Sequence, residues 1–264
     1  MTENKAFFMV TQKYRRFAEI CTSCHQSNYM GLCFGKPGVG KTESARHLAK
    51  WQTIEPLLGK PVRGRSVPSE LLNCNIGFYT PDVVTTPKRL HSGIAILRNK
   101  FDELIEQATS THDPRSWAER PKQRHLQLLI VDEAQRLTYQ ALEQLRDFHD
   151  RGGLSIVLMG PPGFERRLQR NNQFRDRIGI VYEFEVLNAD ETKLFIAQKW
   201  LQLGLPLSAD DAVSSAIVKI TGGNLRRLHR VFMEIERLQN LNCFPLITLD
   251  VIEAARQSLL PSTT

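Results

Sequence analysis

The sequence predicts an α/β fold, in which a parallel sheet flanked by helices is followed by a small, all-helical C-terminal domain. Short apolar runs at 30–34, 128–131 and 154–159 alternate with helix-favouring stretches, as in sheets whose strands are buried on both faces. From residue 188 onward the strand signals stop and helical patterns continue. We therefore expect an N-terminal helical extension at 1–27, an α/β core at 28–187 and a helical lid at 188–264.

The elements of the core follow from apolar periodicity and from Gly and Pro as breakers. Thr86-Pro87 begins a helix because Pro suits the first helical turn, and Gly152-Gly153 ends another. The predicted strands are 30–34, 71–79, 128–131, 154–159 and 178–186. The predicted helices are 5–27, 43–51, 86–108, 139–151 and 164–171.

The lid is predicted to contain four helices. Ser208 and Thr248 are candidate N-caps, since their hydroxyls accept hydrogen bonds from free N–H groups of a first turn. Gly222-Gly223 separates the second helix from the third. The four ranges are 190–203, 209–220, 225–240 and 249–259.

A glycine-rich loop follows the first predicted strand and opens a helix. It reads Gly35, Lys36, Pro37, Gly38, Val39, Gly40, Lys41, Thr42 and thus matches G-x-x-x-x-G-K-[ST], with Glu43 next. Glycine lets successive N–H groups point at phosphate oxygens, and the helix N-terminus favours negative charge. Lys41 would reach the β- and γ-phosphates, and the Thr42 hydroxyl would bind Mg²⁺. The loop predicts a P-loop nucleotide site for ATP and Mg²⁺.

Two adjacent carboxylates follow the apolar run at 128–131. Asp132 would hold Mg²⁺, as the acidic partner in P-loop enzymes does, and Glu133 would act as the general base on the attacking water. An acid-rich helix start after a core strand is the alternative explanation. With the P-loop upstream, the pair predicts hydrolysis of the bound nucleotide, so an ATPase.

Composition bounds the partners and the compartment. The 264 residues carry a net charge of +7, and the pI of about 9.3 favours a polyanionic partner. Apolar runs are too short to span a membrane, and no signal-peptide stretch begins the sequence, so we expect a cytoplasmic protein. Cys21-Thr22-Ser23-Cys24-His25 matches a haem-attachment pattern, but that chemistry needs export, and we expect reduced thiols.

The α/β P-loop core with a small helical domain is the AAA+ layout, and four segments carry a closer resemblance. Residues 31–42, 128–137, 154–187 and 220–231 resemble the AAA+ regulators of DNA transposition, namely TnsC, TniB, MuB and IstB. The sharpest pieces are GKPGVGKT, LLIVDEAQRL, SIVLMG, QFRDRIGIVYEF and TGGNLRRL. The order and spacing are most similar to a short TnsC of a CRISPR-associated transposon.

The resemblance implies that ATP lies between neighbouring subunits of a homo-oligomer. Arg177, or as second choice Arg175, would reach the γ-phosphate held by the next subunit, as a fully charged fork donor can. Arg226 or Arg227 would sense the nucleotide from within the same subunit. A plain surface position is the alternative for each of these arginines.

The resemblance also implies a ring or helical filament around double-stranded DNA, a transposase and a TniQ-like targeting adaptor as partners. Lys88 would contact the DNA backbone, and Arg89, Arg98 and Lys100 would extend the track. Phosphate contacts of this kind are insensitive to sequence and weakened by salt. A solvated basic helix face is the alternative.

One departure from the family pattern concerns the end of the strand at 154–159. A polar first-sensor residue usually stands there, whereas this chain has Gly160-Pro161-Pro162, so hydrolysis is expected to be slow or partner-stimulated. Gln135 is a candidate to orient water instead. A nucleotide-gated adaptor with little hydrolysis and a replication helicase loader are the alternative functions, although origin-binding relatives usually add a winged-helix domain. Secretion ATPases of the ExeA/GspA type share the Asp-Glu-Ala-Gln box but carry membrane or cell-wall segments.

Overall fold

The computed structural model describes residues 8–59, 67–110, 124–205, 211–242 and 245–259. The chain divides into two compact units. The first, here called the helical unit, contains the described residues of the ranges 1–11, 36–40 and 184–264. The second, called the sheet unit, contains those of 12–35 and 41–183.

Five strands form one sheet in the order β2-β3-β4-β1-β5. The strands are β1 (Met30–Gly35), β2 (Ile76–Tyr79), β3 (Leu128–Val131), β4 (Ser155–Gly160) and β5 (Ile178–Phe184). The pairs β1–β4, β3–β4 and β2–β3 are parallel, with Gly31 opposite Val157 and Leu128 opposite Ser155. Because β1 and β3 flank β4 in parallel, their carboxyl ends lie at the same edge of the sheet.

Burial explains why the central strands were predicted correctly. Every residue of β3 and β4 is buried, so these strands read as continuous apolar runs. Strand β5 lies at an edge of the sheet and alternates between less and more exposed positions, with Val181 among the exposed ones. The predicted parallel sheet flanked by helices is confirmed.

Seven helices are described in the sheet unit. Helix α5 begins after Thr138, whose hydroxyl accepts the Ala141 N–H, and ends at Gly153, which has φ +57°. The helices are α1 (Gln12–Ser27), α2 (Lys41–Leu48), α3 (Trp51–Leu58), α4 (Pro87–Ser110), α5 (Tyr139–Gly152), α6 (Phe164–Gln169) and α7 (Asn172–Arg175). Cys21 and Cys24 are buried free thiols on α1.

Three boundaries in this unit differ most from the predicted ones. The helix after the P-loop ends at Leu48, because Lys50 adopts a left-handed backbone (φ 48°) and α3 begins beyond it. The second strand begins at Ile76 rather than at residue 71, since its ladder starts opposite Leu128 and Ser69–Leu71 forms a 3₁₀ turn. The first helix begins at Gln12, and residues 5–7 of its predicted range lie outside the described residues.

The helical unit contains α8 (Ala189–Leu203), α9 (Asp211–Thr221), α10 (Leu225–Asn242) and α11 (Leu249–Ser258). Asn188 and Glu191 form a capping box at the start of α8. Trp200 packs edge-on against Phe232, with ring centroids 5.5 Å apart, inside a buried apolar cluster shared by the four helices. Thr248 stands at the predicted N-cap without a capping bond, and Ser208 lies outside the described residues. None of the helices in the described ranges is long and apolar enough to cross a membrane.

Candidate nucleotide-binding and hydrolysis site

In the sheet unit, the first turn of α2 meets the tip of β3. The Thr42 hydroxyl donates a 2.6 Å hydrogen bond to Asp132 Oδ2, although the two residues are 90 positions apart in sequence. Lys41 Nζ donates to the Gly35 carbonyl at 2.6 Å, which holds the lysine back over the end of β1. The structure therefore brings together the two predicted Mg²⁺ ligands, and Lys41, the predicted phosphate contact, directly precedes Thr42 in the chain.

Asp132 is a buried carboxyl, with 3% of its surface exposed. Burial raises its pKa, whereas hydrogen bonds from the Thr42 hydroxyl and the Glu133 N–H act in the opposite direction. A divalent cation would compensate the buried charge. Among the described residues no group of three or more His, Cys, Asp or Glu side chains could hold a metal. Two hard oxygen donors suit Mg²⁺, which keeps waters and takes its other ligands from phosphates.

Glu133 has an unusual backbone for a residue with a side chain. Its φ and ψ are 52° and 34°, in the left-handed region, and a 3₁₀ turn, Ala134–Arg136, follows directly. Such a conformation costs an L-residue about 1–2 kcal/mol and is typical of functional sites. Its Oε2 accepts a 2.7 Å hydrogen bond from Gln135 Nε2 and lies 3.7 Å from Arg136 Nη2. The turn thus fixes one of the two carboxylate oxygens of the candidate general base.

The turn after Glu133 is held by Arg167 of α6. The Arg167 guanidinium donates to the carbonyl oxygens of Gln135, at 2.8 Å, and Leu137. Helix α6 itself begins shortly after β4, where Gly160, Pro161 and Pro162 stand. Arg167, although exposed, therefore holds the turn that follows Glu133.

In the helical unit, loop residues 36–40 contact the start of α10. Asn224 Nδ2 donates to the Pro37 carbonyl at 3.0 Å, and the Arg226 N–H donates to the Gly38 carbonyl at 3.1 Å. Gly38 has φ +82°, and a Cβ there would lie 2.5 Å from Asn224 Oδ1, so only glycine fits. Gly40 has φ +95°. The loop is thereby tied to the helix that carries the predicted sensing arginines.

The same contacts separate Arg226 from Arg227. Asn224 Oδ1 accepts the N–H groups of both residues and caps α10. Only Arg226 also bonds to the P-loop backbone through its N–H, and its Cβ is 2.8 Å from the Cβ position built on Gly38. Both side chains are exposed. The structure thus favours Arg226 as the residue adjacent to the loop.

Arg177 lies in the turn between α7 and β5 and is held by an acid of its own unit. Its Nε and Nη2 bind the Asp150 carboxylate at 2.8–3.1 Å, and its Nη1 donates to the Gln173 carbonyl. The Arg177 guanidinium holds the pKa of Asp150 below its usual range. Arg175 is more exposed and lies 3.5 Å from Asp176.

The four basic residues on α4 do not share one environment. Lys88 and Arg89 are exposed in its first turn, where Arg89 pairs with Asp82 at 3.0 Å, and Lys100 is exposed further along. Arg98 is half-buried and donates to the Gly152 carbonyl at 2.9 Å, and burial lowers its pKa. Arg98 therefore differs from the other three predicted DNA contacts, because its guanidinium is half-buried and closes the end of α5.

Comparison with known proteins decides the family. A family model described as "AAA domain" matches residues 24–168. A curated Staphylococcus aureus protein, named "Potential ATP-binding protein", is 35% identical over 272 residues and covers 98% of each chain. This chain belongs to the AAA domain family. The predicted enzyme class is confirmed: it is an AAA ATPase, and ATP is its nucleotide.

Solved structures support the fold of this AAA ATPase. RuvB, the Holliday junction branch migration motor of Thermotoga maritima, matches with a TM-score of 0.60 and 18% identity, covering 95% of this chain and 70% of that one. Domain III of the replication initiation protein DnaA from the same organism gives a TM-score of 0.56 at 14% identity, over 98% and 96%. ORC2 of Aeropyrum pernix gives 0.53 at 16%, over 93% and 66%.

Sequence reasoning missed several residues that shape this AAA ATPase site. Asn224 had a readable signal, since Asn before an amphipathic helix is an N-cap, yet its side-chain donor to the P-loop had none. Asp150 and Arg167 had no signal, because each acts through a partner distant in sequence. Asn224 bonds to the nucleotide loop, Asp150 bonds to the candidate intersubunit arginine Arg177, and Arg167 bonds to the turn after Glu133.

Proposed function

We propose that this AAA ATPase is a DNA-binding regulator of transposition, which oligomerises on double-stranded DNA as a ring or helical filament and marks the target for a transposase. The resemblance of four sequence segments to the TnsC group supports the proposal. A transposase and a TniQ-like adaptor would be its protein partners, in the cytoplasm. Residues 28–187 would form the nucleotide-binding core and 188–264 the lid, preceded by the extension at 1–27.

The nucleotide roles follow from the contacts around the P-loop. Thr42 and Asp132 would hold Mg²⁺, which would neutralise phosphate charge, and Glu133 would take the proton of the attacking water. Arg226 would report the nucleotide to the lid, since its N–H already bonds the loop at Gly38. The phosphate contacts would come from Gly35, Lys36, Pro37, Gly38, Val39, Gly40, Lys41, Thr42 and Glu43.

The observation that carries the oligomeric part of the proposal is the position of Arg177. Within the described sheet unit its guanidinium bonds to Asp150 and to the Gln173 carbonyl, and to none of Lys41, Thr42 or Glu133. Yet 33% of its side chain is exposed. An arginine that makes no hydrogen bond to these residues of its own unit and is partly open to solvent suits a neighbouring subunit's γ-phosphate. ATP would then join two copies.

The DNA part of the proposal rests on the first turn of α4. Lys88 is exposed and Arg89 is exposed beside Asp82, with Lys100 exposed further along the helix. A closed ring or helical array of subunits would repeat this basic turn along a duplex, so weak contacts to phosphate would add up. Sequence-independent binding is expected.

Assembly is the first test. We expect particles or filaments by electron microscopy only when the protein is mixed with random duplex DNA and a non-hydrolysable ATP analogue. Arg177→Ala should abolish assembly and retain analogue binding, and Arg175→Ala, at the second-choice arginine, should still assemble. Arg151→Ala, at an exposed arginine of α5 paired with Asp147, is the control. A wild-type protein that binds the analogue and stays monomeric with DNA would overturn the proposal.

DNA contact is tested separately. Lys88→Ala should keep analogue binding and lose duplex affinity, with a shallower dependence of log affinity on log salt by about 0.9 per contact removed. Lys193→Ala, which removes a surface lysine paired with Asp211 on the helical unit, is the control. Equal DNA affinity of Lys88→Ala and wild type would remove this residue from the interface.

A specific observation favours a second candidate, the nucleotide-gated adaptor with little hydrolysis. The first-sensor position at the end of β4 carries Gly160, Pro161 and Pro162, which offer no side-chain donor. Phosphate release by wild type and by Glu133→Gln, with and without DNA, separates the two candidates. Equal, near-zero rates favour the adaptor. A replication helicase loader remains the other alternative, and it would not stimulate strand transfer by a transposase.

A further inference from the structure

The two polar atoms of the Gln135 amide differ in their hydrogen-bond partners. Its Nε2 donates to Glu133 Oε2 at 2.7 Å. Its Oε1 is buried and accepts no hydrogen bond from the described residues. An ionised carboxylate only accepts hydrogen bonds, so the nitrogen must face Glu133 and the oxygen must be the atom without a partner.

A buried acceptor without a partner calls for an explanation, because nearly all such groups are satisfied in native proteins. The turn that carries Gln135 is held in place by two arginines. Arg167 binds the carbonyl oxygens of Gln135 and Leu137, and on the other side Arg136 Nη1 donates to the Pro81 carbonyl at 3.1 Å. The turn is fixed from two directions, so the free acceptor is held in place.

The neighbouring strand β4 ends without a side chain that could accept a hydrogen bond from water. Strand β4 lies between β1, which ends at the P-loop, and β3, which ends at Asp132. At its carboxyl end stand Gly160, Pro161 and Pro162, none of which has a polar side chain. A water aimed at the γ-phosphate needs an acceptor for one proton and a base for the other. Gln135, in the turn that follows β3, carries an acceptor without a partner.

The two oxygens of the Glu133 carboxylate also differ in their contacts. Its Oε2 is bound by Gln135 Nε2 and faces Arg136. Its Oε1 makes no hydrogen bond to the described residues. Gln135 therefore orients the base and leaves one of its oxygens open.

We propose that Gln135 is a catalytic residue whose Oε1 accepts a hydrogen bond from the attacking water while its Nε2 holds Glu133. This rests on the proposed role of Glu133 as general base. The water oxygen bonds to the γ-phosphorus as the bond from that phosphorus to the β–γ bridging oxygen breaks. ADP leaves with the electron pair, and a water proton passes to Glu133 Oε1. ATP and water thus give ADP, inorganic phosphate and a proton.

The test replaces the amide by an apolar group of similar length. Gln135→Met should lower kcat by about 100-fold, as expected for a lost proton-handling contact, with unchanged affinity for a non-hydrolysable ATP analogue. Gln140→Met, at an exposed glutamine on α5, is the control and should keep full activity. Analogue binding on the same preparations shows that the variant is folded. If Gln135 served only to stabilise the turn, the melting temperature would fall and kcat per folded molecule would not.

Glu133→Gln distinguishes the two levels of the proposal. If Glu133→Gln abolishes hydrolysis and Gln135→Met does not change kcat, the role of Gln135 is wrong and the ATPase mechanism stands. If wild type hydrolyses no ATP with DNA present, or if Glu133→Gln keeps the wild-type rate, both are overturned. Loss of kcat in both variants, with analogue affinity retained, supports both.

Discussion

Asn224 offers a prediction whose size can be worked out from its contacts. Its Oδ1 caps α10 by accepting the N–H groups of Arg226 and Arg227, and its Nδ2 donates to the Pro37 carbonyl. Loss of an N-cap costs about 1 kcal/mol and loss of a neutral hydrogen bond about 1 kcal/mol. Asn224→Ala should therefore lower the free energy of unfolding by about 2 kcal/mol.

Asn224→Ser separates the two contributions. Serine retains a capping oxygen but is too short to reach the loop, so its free energy of unfolding should fall by about 1 kcal/mol. If the lost contact preorganises the P-loop, the same energy should weaken ATP binding by about five-fold. Urea unfolding of the nucleotide-free protein gives the first quantity, and titration with a fluorescent ATP analogue gives the second.

The control is Thr138→Ala, which removes the N-cap of α5 and has no donor to the loop. It should cost about 1 kcal/mol of unfolding free energy and leave ATP affinity unchanged. ATP binding by Asn224→Ser as tight as that of wild type would refute the idea that this contact prepares the loop.

Two further predictions concern the acidic pair. Because burial raises the pKa of Asp132, its ionised form costs stability; the cost is absent below the pKa of an unfolded Asp, about 3.9, and grows as the pH rises to the folded value. Without nucleotide, Asp132→Asn should therefore have a melting temperature at pH 7 no lower than that of wild type. In the same thermal melts it should lose the stabilisation that ATP gives in the presence of Mg²⁺. A clearly lower melting temperature of the nucleotide-free variant would contradict this. The unfolding free energy of Glu133→Gly should be about 1 kcal/mol higher than that of Glu133→Ala, because only glycine adopts φ 52° without strain. Equal unfolding free energies of the two variants in urea would show that the strain is absent.

The fold was largely predictable because its central strands are buried on both faces. The runs at β3 and β4 and the P-loop between a strand and a helix are local signals, and the parallel sheet follows from them. The start of β2 was not predictable, since it depends on the strand opposite. The helix break at Lys50 depends on one left-handed residue that no local pattern announces.

The site was predictable to the extent that its chemistry lies in contiguous motifs. Thr42 and Asp132 lie in separate motifs and were both predicted to bind Mg²⁺, and the structure places them in contact. The braces were not predictable, because Arg167, Asp150 and Asn224 each join residues distant in sequence through a single side chain. Arg98 shows the reverse case, since a basic residue that looked exposed is used to close a helix end.

The most direct test of ATP at the junction between two copies is a mixing experiment. Arg177→Ala has an intact Glu133, and Glu133→Gln has an intact Arg177, so neither alone should hydrolyse ATP. In a heterologous assembly of equal amounts, about a quarter of the junctions would pair an intact site with an intact arginine. We expect ATPase activity on DNA to return, at no more than about a quarter of the wild-type rate, because junctions that lack Arg177 form poorly. A mixture as inactive as its two components would contradict an arginine that acts between subunits.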